Sequence, residues 1–516
     1  MYARRLTSAA VALSLVAAAC SGSTSTSQTL ATSAITTTGP GATSSAVSTT
    51  TAAPTSTPAT TIPATAPPVT TTAPTPTPVG AVAGLGDPKD CPLGALAKAT
   101  DKVTIKFWYD WDLNRGEVLK GLVDEFNKSQ DKIQIDASFH GGSPSTQIAV
   151  DYARTVAAAD GPDVISANGI ATQLMIDSRD TIPMGACVAA DKADISDFLP
   201  AIRATGTAGD TLVAMPWGAG GSLLYYNRAA FTKAGLDPDK PPSTLAELRA
   251  DSEAIVKSGA AKHGISLIAS TDRFASLLSG GNPTFTASGA DGRADHSTAE
   301  GPAGQDLISQ LADMVKTGEL IAFPPLGFDD VLALFSKDSA MTTSPAAAIG
   351  DITAAFAGGQ QPNGVELGVA PIPHIIANQP VNLEGGGAPL WITKGSDPAK
   401  QEAAYRFAKW LVEPQQLFEW VSKTGSLPLR TSAVDLPALK DFYAANPLFR
   451  VAYDAIASAP PGPTANIRTG AQFKPVFDEM MVAVLTKGAD PATALANATK
   501  QADAAMAEYN ASITTG

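Results

Sequence analysis

Apolar and polar residues alternate over Val103-Thr-Ile105-Lys-Phe107, the period-two pattern of a strand with one buried face. A helix is predicted next, because Val118, Leu122 and Phe126 recur on one face. Ile133-Gln-Ile135-Asp-Ala137-Ser-Phe139 returns to alternation and predicts a second strand. After another helix, a third short strand is expected at Asp163-Val164-Ile165. Strands alternating with helices build βαβ units around a mainly parallel sheet. Such sheets take ligands in the loops beyond the carboxyl ends of their strands. Trp108–Asn114, His140–Thr146 and Ser166–Gly169 are those loops. Later, Asp397-Pro398 supplies a cap and a first-turn proline for a helix whose apolar face holds Phe407, Trp410 and Leu411. Pro414 breaks it, and Leu417, Phe418 and Val421 continue a second helix to Gly425. An alanine-rich helix is expected from Pro491 to Tyr509.

The beginning of the chain follows neither period. Arg4 and Arg5 precede a short apolar run, Ala9–Ala19, so residues 1–19 read as an export signal peptide. Ala17-Ala18-Ala19-Cys20 resembles a bacterial lipobox, with Ala17 in the place where leucine is usual. That resemblance implies lipidation of Cys20; ordinary cleavage after an A-x-A site is the alternative. From Ser21 to Val82 the chain is almost wholly Thr, Ser, Ala and Pro, with no charge before Asp87. Such a segment has nothing to bury, so residues 20–85 are expected to form a disordered linker. Extended at about 3.1 Å per residue, it reaches on the order of 150–200 Å.

Charge narrows the function. Lys and Arg total 36 against 49 Asp and Glu, a formal net charge of −13. Nucleic-acid binding needs clustered cations and is not expected, nor is a basic surface that holds anionic lipid. Outside the signal no apolar stretch is long enough for a membrane span. If Cys20 carries lipid, Cys91 and Cys187 remain, an even pair in an oxidising compartment. A disulfide is expected between them, with two buried free thiols as the alternative. No CxxC or Cys/His cluster suggests a metal, and no cofactor is expected.

Catalytic motifs are also missing. There is no GxSxG elbow, HExxH or Walker loop. His140, His263, His296 and His374 are scattered without zinc-ligand spacing. Lys423-Thr424-Gly425 and Ser129-Gln-Asp-Lys132 match β-lactamase elements, but no Ser-Asp-Asn lies between them. Asp110, Asp112 and Asn114 imitate the start of a calcium loop whose later ligands are absent. An exported glycoside hydrolase stays open as another class, since distant carboxylates can meet in a fold.

Several segments, in order along the chain, resemble the extracellular solute-binding proteins of ABC importers, in the sugar-binding class. Phe107-Trp108-Tyr109-Asp110-Trp111 is similar to the family's first strand and ligand-facing loop. Ala214-Met215-Pro216-Trp217-Gly218-Ala219-Gly220-Gly221-Ser222-Leu223-Leu224-Tyr225-Tyr226-Asn227 resembles its first lobe-crossing segment. Phe335–Met341 is similar to the second crossing and Gly385-Gly386-Gly387-Ala-Pro-Leu-Trp391-Ile to the third. Trp420–Pro428 and Asn466-Ile-Arg468-Thr-Gly470 are similar to the glycerol-3-phosphate-binding subfamily.

The resemblance implies an α/β, two-lobed periplasmic-binding-protein fold of the class II type, with a hinge and an inter-lobe cleft. Lobe 1 is expected at 86–215 and 335–388, lobe 2 and the C-terminal helices at 216–334 and 389–516. It implies a monomeric, non-enzymatic receptor on the outer face of a bacterial cytoplasmic membrane. The receptor captures a carbohydrate by hinge closure and delivers it to the transmembrane subunits of an ABC permease. Glycerol 3-phosphate or a glycerophosphodiester is the alternative ligand. Ser344, Gly387 and Arg468 fall where the subfamily has its ligand serine, glycine and arginine, whereas Ser426 replaces a tyrosine. The loop at Ala219-Gly220 lacks the subfamily's serine, which favours a neutral sugar.

Trp111, beyond the strand, is a stacking residue or a loop anchor, and Trp217 is placed in the cleft. Asp112 accepts ligand hydroxyls or caps the next helix; Arg468 grips the ligand or makes a structural ion pair. Gly218, Gly220, Gly221, Gly386 and Gly387 allow close backbone approach to a ligand or simply form turns. Trp410 and Trp420 are assigned to the core, one of Tyr225 and Tyr226 is expected to face it, and Trp391 fits either place.

Overall fold

The computed structural model describes residues 85–514 apart from 112, 142–146, 157–160, 209–210, 219–220, 279–285, 289–293, 326, 358–363, 374, 376–386 and 459–469. The signal peptide, Cys20 and nearly all of the linker therefore lie outside the described residues.

The alternation at the start of the globular part becomes strand Val103–Tyr109, which buries Ile105, Phe107 and Tyr109 on one face. It pairs in parallel with Ile133–Phe139 and with Val164–Ser166. The five-stranded first sheet runs Ile133–Phe139, Val103–Tyr109, Val164–Ser166, Leu390–Thr393, Thr181–Ile182. Leu390–Thr393 is antiparallel to both of its neighbours. Helix Leu113–Ser129 covers this sheet with Leu119, Leu122, Val123 and Phe126. Phe126 meets Phe407 of helix Pro398–Leu411 edge to face, at 5.1 Å between centroids. Burying one such side chain stabilises the fold by roughly 1.5–3 kcal/mol.

A second five-stranded sheet runs Leu320–Phe323, His263–Ile268, Ser339–Pro345, Ser222–Asn227, Leu367–Pro371. Its first three strands are mutually parallel, and Ser222–Asn227 is antiparallel to both neighbours. The two sheets with their helices form the two lobes. The capping signals act as read: Asp397 accepts from the amides of Ala399 and Lys400, and Gly425 ends helix Pro414–Thr424 at φ +75°. Cys91 and Cys187 form a disulfide that joins the N-terminal segment to helix Met184–Asp191 of the first lobe. The last helix, Pro491–Thr514, is five residues longer than the expected span.

Two expectations need correction. The strands divide between the sheets differently from the expected boundaries: Ser339–Pro345 and Leu367–Pro371 belong to the second sheet, and Leu390–Thr393 belongs to the first. The segments 335–388 and 389–393 therefore exchange lobes. Phe335–Met341, moreover, is not a crossing. It finishes helix Asp329–Ser336, turns at Lys337 with φ +63°, and enters the second sheet, where Met341 pairs with both Ile265 and Tyr226. Local pattern predicts that a strand forms there, but only its long-range partners decide which sheet it joins.

Candidate functional site

Between the sheets the chain passes once before Ser222 and once before Leu390, and these passages run beside each other. Met215 and Leu390 exchange both backbone hydrogen bonds at 2.9 Å, and the amide of Ala388 donates to Trp217 O at 2.8 Å. The loop after strand Val164–Ser166 ties in as well. Gly169 N donates to Gly387 O (3.1 Å), Ala167 N to Pro389 O (3.2 Å), and Ser166 Oγ to Ala388 O (2.9 Å). A ladder of backbone bonds at the junction of two lobes is the arrangement of a hinge.

Glycine is required where the passages touch. Gly218 and Gly387 hold φ values of +72° and +87°. A Cβ on Gly387 would stand 2.7 Å from Gly218 O, and one on Gly218 would stand 2.9 Å from Cζ2 of Trp111. Gly221, also at positive φ, accepts from Ala346 N at 2.8 Å, which fixes the start of strand Ser222–Asn227 to the end of Ser339–Pro345.

Three indoles gather beside this hinge. Trp217 is wholly buried and packs on Trp420, with centroids 5.0 Å apart. Trp111 meets Trp420 edge to face at 5.7 Å, and the guanidinium of Arg115 lies over its ring. Trp420 is buried, as its helical period predicts, yet it is also the ring that joins the other two. Periodicity marked its apolar face; the contacts with Trp111 and Trp217 depend on chain segments hundreds of residues away. All three indole nitrogens are buried without a hydrogen-bond partner, as is Ser426 Oγ. Unpaired buried donors are uncommon in folded chains. The indole nitrogen of Trp391, in the core, is likewise buried without a partner.

The remaining sequence-selected residues are distributed as follows. Ser344 is buried near the end of strand Ser339–Pro345, at the carboxyl edge of the second sheet. Asp112, Gly220, Gly386 and Arg468 lie outside the described residues. Tyr225 and Tyr226 are both buried: Tyr225 donates to Pro345 O and Tyr226 to Pro238 O. Trp391 is core. At the carboxyl ends of the first two strands His140 stacks on Trp108, centroids 3.8 Å apart. Burial lowers the pKa of its imidazole against the opposing pull of Asp151. Arg115 pairs with Asp351 at 3.5 Å, and Asn114 Nδ2 donates to Lys423 O. Among the described residues no group of three or more His, Cys, Asp or Glu could hold a metal ion. No described helix is long and apolar enough to cross a membrane.

Two lobes joined by paired crossings, with unpaired donors beside the hinge, define a ligand-capturing protein of the two-lobed binding-protein class. The bacterial extracellular solute-binding protein family model matches residues 121–451, and the chain belongs to that family. It is thus a solute-binding protein of the kind that serves ABC importers. It is 28% identical over 434 residues to the sn-glycerol-3-phosphate-binding periplasmic protein UgpB of Yersinia pestis bv. Antiqua (strain Antiqua), covering 80% of this chain and 94% of the relative. The Pectobacterium atrosepticum protein of the same name is 29% identical over 433 residues, covering 81% and 94%. Among solved structures, UgpB from Mycobacterium tuberculosis in complex with glycerophosphocholine superposes with a TM-score of 0.65 at 21% identity, covering 78% of this chain and 98% of its own. The GacH receptor of Streptomyces glaucescens gives 0.64 at 23% identity, covering 79% and 99%. These structural likenesses concern the fold.

Proposed function

We propose that the protein captures a carbohydrate between its lobes by hinge closure and passes it to the transmembrane subunits of an ABC permease. It acts as a monomer and performs no chemistry, being held by lipid on Cys20 and by the Ser/Thr/Pro-rich linker to the outer face of the cytoplasmic membrane. The observation that carries this reading is the group of unpaired donors, the indole N–H of Trp111, Trp217 and Trp420, beside Gly218 and Gly387; the unpaired Ser426 hydroxyl is added to the proposed set. Aromatic faces stack on sugar rings, and buried donors meet ring oxygens in a site that closure desolvates. Asp112, Gly220, Gly221, Ser344, Gly386 and Arg468 complete the proposed ligand set.

A second reading, a glycerophosphodiester as ligand, is favoured by the relatives that bind sn-glycerol 3-phosphate and by the mycobacterial complex with glycerophosphocholine. Thermal unfolding of the full chain against mono- and disaccharides, glycerol 3-phosphate and glycerophosphocholine separates the two. A ligand at 100 times its Kd adds about 2.7 kcal/mol, which one melt resolves. A shift with sugars supports the first reading, a shift with phosphorylated glycerols alone supports the second, and no shift with any of them removes both.

A further inference from the structure

Two arginines are buried among the described residues, and their surroundings differ. Arg430, 9% exposed, is paired with Asp197 at 2.6 Å. Arg273, 7% exposed, has no carboxylate within ion-pair distance among the described residues: its Nη1 donates to Ser222 Oγ at 3.3 Å, and its Nε finds no partner among them. The carboxylates nearby are engaged elsewhere. Asp272 binds Lys474 at 3.2 Å. The oxygens of Asp330 accept from Val331 N at 2.8 Å and Thr342 Oγ1 at 3.2 Å. Asp330 and Asp272 attract the guanidinium from beyond ion-pair distance, whereas charges removed from water are ordinarily paired directly.

Its position gives that exception a purpose. Arg273 stands in helix Thr271–Leu278, which begins at the carboxyl end of strand His263–Ile268. That edge of a parallel sheet is where α/β folds take ligands, and the same edge carries Ser344. Ser222, the residue it contacts, directly follows Gly221 of the first passage and also shares a hydrogen bond with Ser276 Oγ at 2.9 Å. A guanidinium fork with free donors matches the oxygens of a phosphate group.

We infer that Arg273 is the anion contact of the second lobe and that the captured solute carries a phosphate there, as a sugar phosphate or a glycerophosphodiester. This rests on the solute-capture reading above and narrows its ligand class. The test uses the full chain, calorimetry with glycerophosphocholine, glycerol 3-phosphate and maltose, and thermal unfolding with inorganic phosphate alone. The expected result is a phosphate-dependent rise in Tm for the wild type that Arg273→Gln abolishes. Affinity for a phosphorylated ligand should fall by tenfold or more in Arg273→Gln and by less in Arg273→Lys, which keeps the charge. Arg273→Lys, which keeps a positive charge near buried Asp330, is the folding control and should melt close to wild type without ligand. A wild-type melt indifferent to phosphate overturns the inference, as does phosphate-ligand affinity that Arg273→Gln leaves unchanged. Maltose binding that ignores Arg273→Gln, with no phosphorylated ligand bound, overturns it while leaving solute capture intact. Failure of every solute to bind, with the inorganic phosphate response retained, overturns solute capture instead.

Discussion

Trp217, on the first passage between the sheets, lies against Trp420, on helix Pro414–Thr424, with ring centroids 5.0 Å apart and planes tilted by 43°. Trp111 approaches the same Trp420 ring edge-on, so one indole joins the loop after the first strand to the hinge. Leaving a buried donor unpaired costs about 1–3 kcal/mol. Three rings carrying such donors meet at Trp420, and in the proposed reading a solute supplies their missing partners.

Trp111→Phe keeps a ring in that wall and removes one donor. Trp111 is only partly buried, so the unliganded Tm should change little. Affinity for the captured solute, measured by calorimetry, should fall roughly tenfold, the worth of one hydrogen bond. Unchanged affinity would show that the Trp111 N–H does not meet the ligand.

Gly387→Ala forces a Cβ toward Gly218 O, 2.7 Å away, in a backbone conformation at φ +87°. A loss of about 1–3 kcal/mol in unfolding free energy is expected from the strained backbone and the clash together. Gly94→Ala is the control, because Gly94 has φ +90° and open space around it. Urea midpoints should show the larger loss at 387; equal losses would assign the whole effect to backbone conformation.

Local signals in the sequence were realised locally. The strand at Val103, the Asp397-Pro398 helix start and the Gly425 stop each depend on residues within one or two turns. The pairing of Cys91 with Cys187 was legible by counting. Sheet membership was not, because Leu390–Thr393 has the composition of a strand in either lobe and its neighbours Val164 and Ile182 are far away in sequence. The hinge glycine Gly387 was legible from a similar family segment, but the role of Trp420 was hidden by a helical period that describes any core residue. Arg273 had no signal at all: an arginine near a helix start reads as surface until its burial is known.

Removing the disulfide tests how strongly the N-terminal segment is fastened to the first lobe. Cys91 and Cys187 are 96 residues apart, and a closed loop of that size restricts the unfolded chain by about 4–5 kcal/mol in the chain-entropy picture. Measured losses for such bonds are about 2–5 kcal/mol, so a Cys91→Ala, Cys187→Ala protein should unfold at clearly lower urea concentration. Leu96 N also donates to Glu402 Oε2 at 2.8 Å, a bond that survives reduction. If the double variant and wild type have the same midpoint, that bond and its surroundings hold the segment without the disulfide.

Asp251 offers a pH test away from the hinge. It is half-buried on helix Leu245–Lys257, and desolvation, with the negative charge of Glu247 one turn earlier, raises its pKa to about 6. The folded state therefore holds a proton that the unfolded chain releases at lower pH. The sign follows: this group's stabilising contribution is complete below its unfolded pKa and is lost as pH rises through 6. Asp251→Asn should thus match wild type at pH 4 and be more stable at pH 8. Partial exposure limits the gain to about 1 kcal/mol. Thermal unfolding of the two proteins across that range reads the effect. A gain of the same size at both pH values would mean that the amide acts through packing or hydrogen bonding, and that the carboxyl of Asp251 titrates normally.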